Sequence, residues 1–192
     1  MDNVSLLKSE LRRKYIAVRD ALDKEYKRSA ENSVISSIIA LDEFKCADNL
    51  LLYYPVKSEL NVLPLLSAAR ESGKTVAFPK CDKQTLTMSF FEARNENDLR
   101  LGAYGIKEPS DDCPKASYDE KTLCIVPAVA FSREGHRIGY GKGFYDKFLS
   151  DFSGKSIGIT FEALLADTLP YDELDRKLDI IITEKGVYRF EI

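Results

Sequence analysis

Apolar residues in the first forty positions recur at steps of three and four. Leu7, Leu11, Tyr15, Val18 and Leu22 form one stripe, and Tyr26, Ala30, Val34, Ile38 and Leu41 a second. Side chains so spaced share one face of a helix. Two helices are therefore predicted over about 3–41, with Asp23 as N-cap of the second. At Leu50–Val56 the pattern becomes a continuous apolar run, "LLLYYPV", as expected of a strand covered on both faces. A helix over Asn61–Ser72 ends at Gly73, which suits the left-handed position past a C-terminus. "KTVAFPK" and "TLTMSFFEA" read as strands joined through a turn at Asp82-Lys83-Gln84, and 95–120 as mostly loop. "TLCIVPAVAF" is a further buried strand, followed by a glycine-rich segment and a helix from about Gly143 to Asp151. "KSIGIT", "LDIIIT" and "VYRFEI" supply the last three strands. Strands alternating with helices predict an α/β layered fold. No linker, repeat or low-complexity tract divides the chain, so residues 1–192 read as one domain, the helical pair packed on an α/β core from about 48 onward.

Composition narrows the function classes. With 44% hydrophobic and 31% charged residues the chain is an ordinary globular one. A net charge of −3 argues against a general nucleic-acid binder, which normally carries a basic surplus. The longest apolar run, "LCIVPAVAF", has nine residues and contains a proline, well short of the roughly 20 of a membrane span. The N-terminus is amphipathic and basic, as organellar presequences are. Those are poor in acids, however, and here Asp2, Glu10, Asp20 and Asp23 intervene. The segment is read as part of the mature fold, and the protein as cytoplasmic. Cys46, Cys81, Cys113 and Cys124 form no C-x-x-C pair and the chain has one histidine, which argues for reduced thiols and against a zinc site.

The candidate chemistry concentrates in "REGHRIGYGKGFYDKFL". Four of the ten glycines, Gly135, Gly139, Gly141 and Gly143, fall within nine positions there. Glycine loses the most conformational freedom on folding, so such a cluster suits a main chain that something must approach closely. A buried strand running through glycines into a helix presents free N–H groups to an oxyanion. The segment matches neither the P-loop nor the dinucleotide fingerprint, since Phe144 stands where the latter needs glycine. Arg137 and Lys142 would meet phosphate, and Asp146 could hold Mg²⁺ beside it; a flexible glycine turn is the alternative. Elsewhere, Lys8 and Arg12 share one helix face away from the Leu7/Leu11 stripe, either as a second phosphate contact or as a solvated surface. Glu59 follows the end of a buried strand, where ligands of open α/β sheets bind, or starts a helix. Asp172, Glu173, Asp175 and Asp179 precede a late strand, as turn residues or as part of a metal site.

Taken in order, "KSELRRKYIAVRDAL", "YYPVKSELNV", "KTVAFPKCD" with "MSFFEA", "YGIKEP", "VPAVAFSREGHRIGYGKGFYDKFL" and the closing Asp-rich turn resemble the 5-formyltetrahydrofolate cyclo-ligase (5,10-methenyltetrahydrofolate synthetase) family over nearly the whole chain. The resemblance implies a three-layer α/β/α fold with a largely parallel or mixed central sheet, related to sugar-phosphate isomerases and CoA transferases. It also implies closure of 5-formyltetrahydrofolate to 5,10-methenyltetrahydrofolate, with ATP as co-substrate and Mg²⁺ as cofactor, by a monomer. Lys8, Ser9, Glu10, Leu11 and Arg12, with Arg137, Ile138, Gly139, Tyr140, Gly141, Lys142, Gly143, Phe144 and Tyr145, match its nucleotide sites. Among these, Arg137, Lys142 and Tyr145 are the expected catalytic groups. Glu59 matches the folate-binding acid, with Tyr54 lining that pocket and Tyr140 to Phe144 completing it; Asp146 and Asp175 match the magnesium carboxylates. Phe144 stands where tyrosine is often found, so a hydroxyl role rests on Tyr145. Tyr140 replaces an arginine of some relatives, leaving Lys142 and Arg137 to compensate. Another phosphate-handling enzyme on the same scaffold, or a non-catalytic folate- or nucleotide-binding module, are the competing classes.

Overall fold

The computed structural model describes residues 3–191. In chain order its elements are α1 (Asn3–Ala21), α2 (Lys24–Ala40), α3 (Asp42–Cys46), β1 (Asn49–Leu51), α4 (Pro64–Glu71), β2 (Thr75–Asp82) and β3 (Thr87–Glu92). There follow β4 (Leu99–Leu101), β5 (Lys107–Pro109), β6 (Thr122–Val126), β7 (Ala130–Ser132), β8 (Arg137–Ile138) and α5 (Phe144–Ser150). The chain closes with β9 (Lys155–Ile159), β10 (Leu165–Ala166), β11 (Ile180–Thr183) and β12 (Gly186–Arg189).

One sheet of seven strands, in the order β12-β11-β9-β6-β1-β2-β3, organises the molecule. Its inner strands run parallel, and β3 and β12 pair antiparallel at the two edges. Side chains alternate between the faces of a strand, and here they enter two cores. Leu50, Val76, Leu123, Ile125, Ile157 and Ile180 share one core with Val34 and Ile38 of α2, Phe44 of α3 and Leu65 of α4. Leu51, Ala77, Cys124, Val126 and Ile181 share the other with Tyr145 and Phe148 of α5. That is the expected three-layer α/β/α arrangement with a mixed sheet. Burying each large side chain contributes about 1.5–3 kcal/mol. Among the described residues no helix is long and apolar enough to cross a membrane.

Local chemistry explains both the agreements and the differences. Asp23 caps α2 as predicted, accepting from the N–H groups of Glu25 at 2.8 Å and Tyr26 at 3.1 Å. Helix α4 starts at Pro64 rather than Asn61, because proline sits well at the first helical position and the Asn61 side chain accepts from Leu63 N instead. Gly73 takes the left-handed conformation after it, φ +73°. The run Leu50–Val56 forms a ladder only to Leu51, with one more bond from Leu52 N to Ala77 O at 2.9 Å. Pro55 has no N–H to continue it, and the chain turns at Lys57, φ +54°. "TLCIVPAVAF" is likewise divided near Pro127: β6 stays in the large sheet, and β7 joins β8 and β10 in a separate three-stranded sheet. The 95–120 stretch is not loop throughout, since β4 and β5 pair antiparallel within it. The predicted last strand ends at Arg189, and its Ile192 lies outside the described residues.

The largest departure concerns α1. Tyr15, Val18 and Leu22 pack on the core as their spacing predicts, but Leu7 is 46% exposed, whereas Arg19 is 2% exposed. The helix turns a cationic face inward because carbonyl and carboxylate oxygens, not hydrocarbon, lie opposite it.

Gly158 in β9 illustrates how closely the second core is filled. A Cβ at that position would lie 2.4 Å from Phe131 Cε1 and 2.6 Å from Leu178 Cδ1. Gly158→Ala is predicted to destabilise the protein by about 1–3 kcal/mol, read as a lower urea midpoint; an unchanged midpoint would contradict this packing.

Candidate active site

The structure divides the glycine segment in two. Gly135 belongs to the β7–β8 hairpin turn, with φ +89° and its N–H on Ser132 O at 3.0 Å. A Cβ there would meet Phe190 Cγ at 3.1 Å. Its glycine is required by turn and packing, which removes it from the group read as one phosphate-approaching loop. The second part, Gly139 to Gly143, leaves β8 and enters α5. Gly141 and Gly143 have φ +87° and +69°, conformations that favour glycine. Gly139 has no positive φ, and a Cβ built on Gly139 or Gly143 meets nothing within 4 Å. Neither backbone conformation nor packing explains glycine at 139. Open space does.

Helix α1 lies against this loop through Arg12 and Arg19, with Lys8 spaced to share their face. Arg12 Nε donates to Gly139 O at 2.7 Å, and its guanidinium reaches within 3.3 Å of the Cβ position of Gly141. Lys8 Nζ pairs with Asp172 Oδ2 at 2.7 Å and with Asp175. Burial opposes the charge on Lys8, but the two carboxylates outweigh it and hold its pKa above the ordinary value. Arg19 donates from Nη2 to Tyr140 Oη at 2.8 Å and from Nε to Ser58 Oγ at 3.1 Å. Between these cations, Leu11 packs with Ala130, Ile138 and Leu169, while Ser9 and Glu10 are exposed.

Glu59 is buried where the turn after β1 meets Arg19 and Tyr140. Its Oε2 accepts from Val56 N at 2.9 Å, and the Tyr140 hydroxyl lies close to the same carboxylate. Burial raises the Glu59 pKa; the Val56 N–H, Tyr140 and Arg19 offset part of that rise. Arg19, Tyr53, Glu59, Thr160 and Phe161 line a void of about 10 Å³, roughly the size of one water. Tyr54 lies nearby in sequence, its hydroxyl donating to Glu96 at 3.4 Å and the Lys107 ammonium standing 5.2 Å from its ring centre. Phe144 meets Tyr104 edge-on at 6.0 Å. Segment 95–109 thus reaches both Tyr54 and the loop's aromatic end.

The remaining expected residues divide by surroundings. Arg137 is 6% exposed and committed inward, with Nη2 on Asp146 Oδ1 at 2.5 Å and Nη1 on Arg176 O at 2.6 Å. Burial lowers its pKa against the pull of Asp146 and Asp175, yet a guanidinium stays charged. It therefore does not stand ready in this state to replace a missing loop cation. Lys142 is exposed, and no described residue hydrogen-bonds or pairs with its ammonium. Tyr145 turns its hydroxyl into the second core, where among the described residues it has no hydrogen-bond partner, and burial pushes its pKa well up. No three His, Cys, Asp or Glu side chains gather as a metal cluster among the described residues. Mg²⁺ commonly takes only one or two carboxylates and completes its shell with substrate phosphates and water. Asp146 and Asp175, both acting on Arg137, supply two such hard oxygen ligands and so fit that mode, each now neutralised by a cation.

The structure therefore brings α1, the loop, Glu59 and the acidic turn together. Arg19 and Ser58 enter the site without having been singled out from the sequence, and Asp172, read there as a turn or metal-site residue, enters as a partner of Lys8. Arg19, seven residues beyond Arg12, continued the face already marked by Lys8 and Arg12.

Comparisons with known proteins bear on the chain as a whole. The sequence profile of the 5-formyltetrahydrofolate cyclo-ligase family matches residues 4–184. A probable 5-formyltetrahydrofolate cyclo-ligase of Schizosaccharomyces pombe is 30% identical, with 97% of this chain and 99% of that protein covered. One of Caenorhabditis elegans is 29% identical over 100% and 99% of the two chains. The solved structure of Aquifex aeolicus 5,10-methenyltetrahydrofolate synthetase superposes with a TM-score of 0.83 at 35% identity, covering 95% of this chain and 92% of that one.

The Arg137–Asp146 pair yields a stability prediction. Asp146→Ala leaves a buried guanidinium without its carboxylate and should destabilise the fold by about 3 kcal/mol, measured by chemical denaturation without nucleotide or metal. An unshifted transition would show that Asp146 has no structural share in the pair.

Proposed function

The chain belongs to the 5-formyltetrahydrofolate cyclo-ligase family and is an enzyme of that type, and on that premise we propose that it closes 5-formyltetrahydrofolate to 5,10-methenyltetrahydrofolate at the expense of ATP. The observation that carries the assignment of the nucleotide to the loop is Gly139–Gly143, open above Gly139 and Gly143 and containing Lys142, which no described residue pairs.

In this reading the formyl oxygen attacks the γ-phosphorus of ATP and ADP departs. N10 then attacks the activated formyl carbon and loses its proton, and the carbon–oxygen bond breaks to release phosphate. Phosphoryl transfer asks for positioning and charge neutralisation more than for a protein nucleophile. Lys142 is the residue free to meet the transferred group. The loop amides would hold the phosphates, and Arg12 would keep the loop in register through Gly139 O. Lys8 would exchange its carboxylates for phosphate. Glu59 would orient the pterin by accepting from its N–H groups, a charge-assisted contact of about 1.5–3 kcal/mol. Tyr54 and Phe144 would line the folate side. Asp146 and Asp175 would hold Mg²⁺, which when bound neutralises charge on the β- and γ-phosphates. The Tyr145 hydroxyl, buried and unpartnered, is assigned no proton transfer. A monomer in the cytoplasm completes the reading, supported by four free cysteines.

Protein mixed with Mg-ATP and 5-formyltetrahydrofolate should develop the near-ultraviolet absorbance of the methenyl product. Lys142→Ala should lower kcat by about 10²-fold, the usual loss on removing one donor from a developing charge. No product from folded protein would sink the assignment, and a wild-type rate in the variant would remove Lys142 from the mechanism.

A further inference from the structure

We propose that Arg19 is a positioning residue for this reaction, joining the folate-binding acid to the nucleotide loop through the Tyr140 hydroxyl. The inference rests on the reading of Glu59 as the pterin acid and of Gly139–Gly143 as the phosphate loop.

The direction of each hydrogen bond is fixed by elementary chemistry. A guanidinium donates and cannot accept. Tyr140 Oη, 2.8 Å from Arg19 Nη2, must therefore accept from it, which leaves the phenolic proton available to the nearby Glu59 carboxylate. Ser58 Oγ, 3.1 Å from Arg19 Nε, accepts likewise, and its own proton goes to Asp20. One buried cation thus sets two hydroxyl rotors. One serves the acid, and the other secures the turn that carries it, since Ser58 is next to Glu59 in the chain.

A purely structural role fits Arg19 less well. At 2% exposure it occupies α1 among Tyr15, Val18 and Leu22, which pack on hydrocarbon. A leucine there would avoid the desolvation cost of a buried charge, for buried ion pairs are commonly no more stabilising than apolar replacements. What the guanidinium adds is orientation and charge. Tyr140 belongs to the loop and is 43% exposed, so a ligand that moves the loop also moves the donor on Glu59. Each substrate then finds its site better formed when the other is bound.

Other groups also face Glu59. They are Tyr53 from the segment after β1, Tyr140 from the loop, Tyr145 from α5 and the Val56 N–H from its own turn, with Asp20 one hydrogen bond beyond Ser58. Arg19 is the cation on this side, and its field favours the ionised acid. The sign follows: without Arg19 the Glu59 carboxyl titrates at higher pH, and activity that requires the carboxylate is lost earlier on acidification.

The test compares wild type, Arg19→Gln, Arg19→Lys and Tyr140→Phe by the pH profile of kcat/KM for 5-formyltetrahydrofolate and by ¹³C NMR titration of the Glu59 carboxyl. Arg19→Gln should lower kcat/KM roughly 10- to 100-fold, the usual range on removing one partner of a buried polar contact, and move the acid limb and the carboxyl titration to higher pH. Arg19→Lys should return both toward wild type by restoring charge. Tyr140→Phe leaves the buried position intact and should move both in the same direction. If the variants lose melting temperature but keep the wild-type limb and titration, Arg19 is structural and the inference falls. The same holds if Tyr140→Phe leaves both unmoved. Should wild type turn over no folate while Arg19→Gln still moves the carboxyl titration, the cyclo-ligase reading fails and the Arg19–Glu59 link stands.

Discussion

The contact between α1 and the glycine loop determines where everything else in the site stands. Arg12 reaches the carbonyl of Gly139 across 127 positions of chain. On either side of it, Lys8 is held by Asp172 and Asp175, and Arg19 by Tyr140 and Ser58. The apolar stripe of α1 is too thinly covered to fix the helix alone, since Leu7 is exposed. The helix is instead located by cations meeting oxygen. Such contacts are directional, whereas hydrophobic burial is not, so they fix rotation and register together. A helix placed by hydrocarbon could turn by some degrees at little cost; one placed by three polar anchors cannot.

Cations in this site have different tasks, and burial sorts them. Arg137, buried, ties the start of α5 to the strand behind it through Asp146. Arg19 sets hydroxyl directions. Lys8 and Arg12, half-buried, hold main chain and carboxylates that an anionic ligand would compete for. Lys142 alone among these five stands exposed without a described partner. This gradation suits a site that must receive a highly charged ligand, because prepaired charges avoid the penalty of bare buried ions, while the exposed lysine costs nothing until it is used.

Much of this was legible in the sequence where one local rule decided the outcome. The N-cap Asp23, the left-handed Gly73, the buried strands β6, β9 and β11 and the α5 boundary follow from residue type and spacing alone. The failures share a cause, which is competition from elsewhere in the chain. "TLCIVPAVAF" reads as one strand because its apolar run is unbroken in character, yet Pro127 divides it between two sheets. Gly135 looked like one of four equivalent glycines, and only its approach to Phe190 reveals a turn residue. The cationic face of α1 was visible at Lys8 and Arg12, but what lay opposite it was not, so Arg19 drew no notice and Asp172 was not linked to Lys8. Arg137 bore a charge suited to phosphate, yet its partner in the fold is Asp146, nine residues on.

The central claim is that the main chain of Gly139–Gly143, steadied by α1, receives the triphosphate. Backbone amide NMR during titration with a non-hydrolysable Mg-ATP analogue tests it most directly. The account predicts that the largest shifts appear at the amides of Gly139 to Gly143, with Lys8 and Arg12 responding in the same titration. Shifts confined to another part of the surface, with the loop amides unmoved at saturation, would contradict it.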